Sequence, residues 1–368
     1  MNLPGKVVME LPPSDGNPRN SEGAFINLKD GRLMFVYSRF DADSNEDYAP
    51  SCIAARTSTD GGTTWDDRDQ VLFKRADFDT SKEKCQNIMS VSLLRMKDGA
   101  LGLFFGLRYS FMNARLHLFR SYDEGESFDR GLLCIPGPGY YVTNNDRVIR
   151  TSSGRILIPC NFHRMKGEDF SSDCYKDYFD YRGIGCFTVS NDDGHTWREA
   201  KDCCFPTTTA TNAGLQETGL VQLQSGILWA FFRTDLGCQY TSFSMDDGET
   251  WTTPQPSSFT SPCSPMSVKR APGGALLSVW NPIPAYQTRG LNSYNFARTP
   301  MVAAVSHDNG KSWSQPLTIE DAPGGYCYTA IHFEQEHVLL AYCAGGPEDE
   351  SCLARLRMRR IPFSQLGL

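Results

Sequence analysis

Short apolar runs recur along the chain on either side of a polar turn that ends in glycine: Leu28-Lys-Asp-Gly31, Met96-Lys-Asp-Gly99, Thr151-Ser-Ser-Gly154, Leu223-Gln-Ser-Gly226 and Ala271-Pro-Gly-Gly274. Each predicts a hairpin of two buried strands. A sixth turn, Glu334-Gln-Glu-His337, lacks the glycine but sits between the apolar stretches 330–333 and 338–342. Near the C-terminus Ala354, Leu356 and Met358 alternate with Arg355, Arg357 and Arg359, the period-2 signature of a half-buried strand. The first candidate strand, Lys6 to Leu11, is a suitable partner for it. No convincing long amphipathic helix competes with this all-β reading.

A second repeat alternates with the first. The pattern Ser-x-Asp-x-Gly-x-Thr/Ser-aromatic starts at Ser58, Ser121, Ser190, Ser244 and Ser306 and closes on Trp65, Phe128, Trp197, Trp251 and Trp313. Asp and Gly at fixed offsets in a short polar loop make a tight turn, in which the carboxylate accepts loop N–H groups and glycine takes the positive φ. The aromatic then packs down between neighbouring strands, so the box aspartates are structural. Six inner hairpins and five boxed outer hairpins, repeating about every 60 residues, describe four-stranded units that cannot bury a core singly. Closed in a circle they make one six-bladed β-propeller, a single domain over 1–368, whose unboxed sixth unit is sealed by the N- and C-terminal strands.

Composition narrows the function. Hydrophobic residues make up 40% and charged residues 21% of 368, enough apolar content for a large core. The formal net charge of −7, without long basic runs, argues against nucleic acid and anionic membrane as partners. No apolar run approaches the roughly 20 residues that span a bilayer. Thirteen scattered cysteines, with no CxxC pair or zinc spacing, predict buried reduced thiols. With no apolar leader at the N-terminus, that points to a cytoplasmic protein. The HExxH, P-loop and Rossmann patterns are absent, and no metal or other cofactor is expected.

The Ser-x-Asp-x-Gly-x-Thr-Trp element resembles the Asp-box of the sialidase (neuraminidase) superfamily, or BNR repeat, and the resemblance covers nearly the whole chain in repeat order. It implies the six-bladed propeller again, and it implies a chemistry. Retaining sialidases hold the substrate carboxylate with three arginines and use an Asp acid/base and a Tyr nucleophile activated by a Glu. The carboxylate lies on the anomeric carbon, where an anionic nucleophile would meet repulsion of about 4 kcal/mol at roughly 4 Å and an effective dielectric of about 20. A neutral phenol beside a base avoids it.

Carried over by position, the resemblance assigns Glu217 as the base and Arg233, at the far end of the same hairpin, as a carboxylate ligand. Arg298, eight residues before the fifth box, is similar to the third arginine, with Asn281 and Arg289 as weaker candidates nearby. Asp47 matches the acid/base position, in a polar loop it shares with Asp41, Asp43 and Glu46. Tyr326 and Tyr328 open the last inner hairpin on one face of an extended strand, so spacing cannot separate them; Tyr326 is ranked first. The departure is at the first blade. Sialidases begin it with Arg-Ile-Pro, and counting back from Gly31 puts Ser21 at that arginine's place. Arg19, two residues earlier on the same face, could reach the same point, whereas Glu22 alternates away unless a bulge intervenes. Asn87, Asp146 and Arg147 open the second and third inner hairpins, and Arg39, Arg108, His163 and Trp280 end others. Of these, Arg39, Asn87, Asp146 and Arg147 are taken as substrate contacts.

The reading is an exo-acting retaining glycoside hydrolase that releases a terminal sialic acid or related acidic sugar from a glycan. Two alternatives stand beside it: a hydrolase for a different acidic sugar, such as another 2-keto acid or a uronic acid, and a non-catalytic glycan-binding propeller.

Overall fold

The computed structural model describes residues 3–41, 44–167, 175–287 and 294–368. The alternating repeats fold as the six blades of a propeller. In the first blade the strands Asn20–Asn27, Leu33–Phe40, Ser51–Ser58 and Gln70–Lys74 pair antiparallel in that order outward from the axis. The fourth blade, starting at Gln216–Gln222, and the fifth, starting at Ser267–Arg270, repeat the plan. The sixth blade runs Cys327–Glu334, His337–Cys343, Leu356–Pro362 and then Lys6–Leu11 from the other end of the chain, so the ring is closed by pairing Lys6 with Arg360 through to Leu11 with Leu356. The second and third blades share one nine-stranded sheet. Gly139–Val142 pairs parallel with Asn113–Ser121 of one and antiparallel with Ile156–His163 of the other.

The core is divided among the interfaces between blades, and each box supplies one of them. Trp65 packs between the sixth and first blades, Phe128 between the first and second, Trp197 between the second and third, Trp251 between the third and fourth, and Trp313 between the fourth and fifth. The interface of the fifth and sixth blades has no box aromatic. Phe363 and Leu366 from the C-terminal turn fill it instead, beside Ile331, Leu340 and Ile361. The box geometry follows the expectation from sequence. In the third, Ser190 Oγ and Thr196 Oγ1 donate to Asp192 at 2.8 and 2.6 Å, Gly194 N donates to Ser190 Oγ at 2.7 Å, and Gly194 takes φ 84°.

Candidate active site

The innermost strands carry a device that period-2 reasoning does not show. The pairing slips between Ser21 and Ala24, Met89 and Ser92, Gln216 and Gly219, and Cys327 and Ala330. Each slip is a two-residue bulge whose first residue adopts a positive φ: Glu22 at 56°, Ser90 at 67°, Glu217 at 47° and Tyr328 at 57°. A bulge re-aims a side chain that the pleat would send elsewhere, and a left-handed non-glycine residue is held only where its surroundings over-determine it. All four side chains line one cavity of about 590 Å³ on the propeller axis.

On one side of the cavity Tyr328 Oη donates to Glu217 Oε1 at 2.8 Å, and Arg233 donates to the same oxygen at 2.7 Å. Glu217 Oε2 is buried with no protein partner. Arg298 lies 5.3 Å over the Tyr328 ring and donates to Cys327 Sγ at 3.1 Å. Burial and then the Glu217 charge push the Tyr328 phenol well above its ordinary value, with Arg298 and Arg233 pulling the other way. The resting group is therefore a neutral phenol hydrogen-bonded to the Glu217 side chain.

Across the cavity, Arg19 is 1% exposed. Its guanidinium donates to Ser21 Oγ at 3.0 Å, Asn45 O at 3.1 Å, Asp47 Oδ1 at 2.6 Å and Glu22 Oε1 at 2.8 Å. Four of its five N–H groups are thus engaged, which leaves no fork for a substrate carboxylate. Asp47 stands on the rim with its side chain 61% exposed. The surrounding walls disfavour its charge, but Arg19, then Arg108 and Arg298, outweigh them and hold the carboxyl below the usual range. Glu22 is 5% exposed.

The structure therefore brings Asp47, Glu217, Tyr328, Arg19, Asn87, Arg233 and Arg298 to one cavity and places the other candidates elsewhere. The ranking of the tyrosines is reversed: Tyr326 precedes the bulge, is 3% exposed and packs against Tyr342 in the core between the fifth and sixth blades. Burial raises its phenol to about 12, and its hydroxyl points at Ala322 O. Arg39 faces outward to Asp69, at 3.6 Å, because the pleat sets it opposite Ser38. Asp146 also takes a positive φ, 56°, but its carboxylate receives Lys269 Nζ at 2.7 Å and Ile331 N at 3.0 Å, locking the third, fifth and sixth blades together. Arg147 is buried under the Met266 carbonyl, 2.7 Å away, and beside the Phe231 ring; burial lowers it to about 10. Asn87 lines the cavity but spends its amide N–H groups on Ala49 O and Ser51 Oγ, which steadies the loop carrying Asp47. Asn281 and Trp280 are core residues. Asp43 and Arg289 lie outside the described residues.

Sequence reasoning left Glu22 and Ser90 unassigned, yet a signal for both was present. Glu22, Ser90 and Glu217 each stand nine residues before their hairpin glycine, Gly31, Gly99 and Gly226, and Tyr328 stands nine before His337. Arg108, Tyr140 and His163 complete the wall on the second and third blades, with Arg108 over the Tyr140 ring at 5.0 Å.

A closed propeller with a pocket of arginines and carboxylates on its axis, built on inner-strand bulges, is a sialidase-like propeller. Residues 31–339 match the BNR repeat-like domain, and the chain belongs to that family. Among solved structures it is similar to a Hadza microbial sialidase, Hz136, at TM-score 0.71 and 16% identity over 96% of this chain and 67% of that one. It is also similar to the NanB sialidase of Streptococcus pneumoniae, at 0.73 and 14% over 99% and 71%. The intramolecular trans-sialidase of Ruminococcus gnavus matches at 0.67 and 14% over 95% of both chains. A comparison with curated protein sequences gives no match.

Proposed function

We propose that the protein is an exo-acting retaining glycoside hydrolase that releases a terminal acidic sugar, sialic acid or a relative, from a glycan. The observation that carries this reading is the Tyr328–Glu217 contact at 2.8 Å with Arg233 on the same carboxylate. It supplies a neutral nucleophile, its base and a cation in one cluster, within the cavity that also holds Asp47 and Arg298. In this mechanism Arg233 and Arg298 hold the substrate carboxylate. Tyr328 attacks the anomeric carbon as its proton passes to Glu217, and Asp47, held ionised by Arg19 in the free protein, takes a proton from solvent and gives it to the departing oxygen. Asp47 then takes one from the water that breaks the tyrosyl–sugar bond, while Glu217 returns its proton to the phenolate.

The engagement of Arg19 by Asp47, Glu22, Ser21 and Asn45 favours a second reading of the substrate. With Arg233 and Arg298 left to meet the carboxylate, rather than three arginines, an acidic sugar other than an ordinary sialoside suits the pocket.

The test compares Tyr328→Phe with Tyr326→Phe on aryl α-sialosides and aryl uronides. Loss of at least about a thousandfold in kcat/KM is expected for the first and little change for the second. Equal rates in wild type and Tyr328→Phe would remove the nucleophile assignment. Sugar binding without turnover of either substrate class by the wild type would favour the glycan-binding propeller.

A further inference from the structure

Glu217 and Tyr328 account for two of the four bulge residues that face the cavity, and a third, Ser90, serves Glu22: its hydroxyl donates to Glu22 Oε2 at 2.5 Å. That leaves Glu22, a buried acid turned inward by the same positive-φ bulge as the base and the nucleophile. It stands beside Ser21, the position at which the sialidase resemblance places an arginine. The groups facing it are Arg19 and Asp47 from the first blade, Ser90 from the second, Glu217 from the fourth, and Tyr328 and Cys343 from the sixth. Arg19 is shared between two carboxylates, Asp47 and Glu22. An anionic sugar entering this cavity brings one more negative charge to a place where the nearest cation is already committed.

We propose that Glu22 contacts the bound sugar as a neutral carboxylic acid and sets its specificity, so that an acidic sugar takes up one proton as it binds. As a carboxylic acid the group donates an O–H to a sugar oxygen, the service an arginine would give; as a carboxylate it would repel the sugar acid. Desolvation raises Glu22 to about 7; Arg19 opposes the shift, Asp47 adds to it, Ser90 opposes it and Glu217 adds to it. The free pocket is thus poised between the two forms near neutrality, and a sugar carboxylate tips it to the protonated one. Below about pH 6 the proton is already present and affinity is flat; above about pH 7 it must be acquired from solution, and affinity falls towards tenfold per pH unit.

The inference rests on the acidic-sugar reading but not on turnover, so the test uses binding. N-acetylneuraminic acid and glucuronic acid are titrated calorimetrically into the full chain from pH 5.5 to 8.5, in two buffers of different ionisation enthalpy. Wild type should take up close to one proton at pH 8 with whichever acid binds, and the methyl ester of that acid should take up none. Glu22→Gln should bind with a flat pH profile and no uptake. Ser90→Ala, which removes a hydrogen bond favouring the ionised form, should move the onset of weakening to higher pH, and it serves as the second variant should Glu22→Gln fold poorly. Wild-type proton uptake in Glu22→Gln, or no binding of either acid by wild type, overturns the proposal. Uptake by a protein that hydrolyses neither aryl glycoside upholds it and removes the hydrolase reading instead.

Discussion

The two repeated loci of each blade behave in opposite ways. At the outer turns the same side chains recur: Asp60, Asp123, Asp192, Asp246 and Asp308 accept the same serine and threonine or serine hydroxyls. At the inner strands only the backbone recurs. A positive φ returns at Glu22, Ser90, Asp146, Glu217 and Tyr328, but the residue changes from blade to blade. An identical side chain at every box answers a need that the five boxed blades share, namely a turn and an aromatic for the neighbouring interface. A repeated conformation with a different side chain each time answers needs that differ around the ring, and a single pocket on the axis has such needs. Asp146 shows that the bulge alone does not confer a place in the cavity, since its carboxylate is spent on Lys269 and Ile331.

If this contrast is sound, inner positions should govern activity and outer ones stability. Next to the loss expected of Tyr328→Phe, the largest effect falls on Glu217→Gln. The amide cannot take the phenolic proton, and kcat with an aryl glycoside should drop by about 10²–10⁴, read per folded protein because Arg233 also loses its anion and Tm should fall with it. Asp47→Asn should separate leaving groups: about a hundredfold on an alkyl glycoside, whose oxygen needs a proton, and less than about tenfold on a nitrophenyl glycoside, whose oxygen does not. An equal loss on both would remove the acid role from Asp47. Asp146→Asn should break the contrast from inside. It leaves Lys269, 41% exposed, without its anion, so it should lower Tm while leaving kcat/KM within about twofold.

How far the sequence discloses this molecule depends on which locus is read. The fold was legible because boxes and hairpin glycines are local: each turn is specified by residues within eight positions of one another, and strand closure by Lys6–Leu11 follows from alternation at the C-terminus. The site was legible where a charged residue sat at the end of an apolar hairpin, as with Glu217 and Arg233. It was not legible where alternation was assumed to continue. The bulges at Glu22 and Tyr328 shift the register by one residue and turn the pleat inside out locally, which is why Tyr326 looked equivalent to Tyr328 and Glu22 looked as though it faced away. Arg39 and Arg147 failed for another reason, since a strand-end arginine can be placed by sequence but its partner, Asp69 or the Met266 carbonyl, belongs to a distant segment.

The smallest expected effect bears on the outer locus. Asp192→Ala removes the acceptor of Ser190 Oγ, Thr196 N and Thr196 Oγ1, a loss comparable to that of a helix cap, about 1 kcal/mol in so exposed a turn. These hydrogen bonds, led by the Thr196 hydroxyl, hold the Asp192 carboxyl down at about 2. A depressed carboxyl stabilises the fold fully above its unfolded value near 3.8 and ceases to do so as pH falls through about 2. The gap between wild type and variant in a denaturant titration should therefore be widest at neutral pH and narrow below about pH 4. Activity at pH 7 should not change, because the turn lies at the outer edge of the third blade and contributes nothing to the cavity wall. A fall in kcat/KM at unchanged stability would place the outer boxes in the chemistry and dissolve the contrast between the two loci.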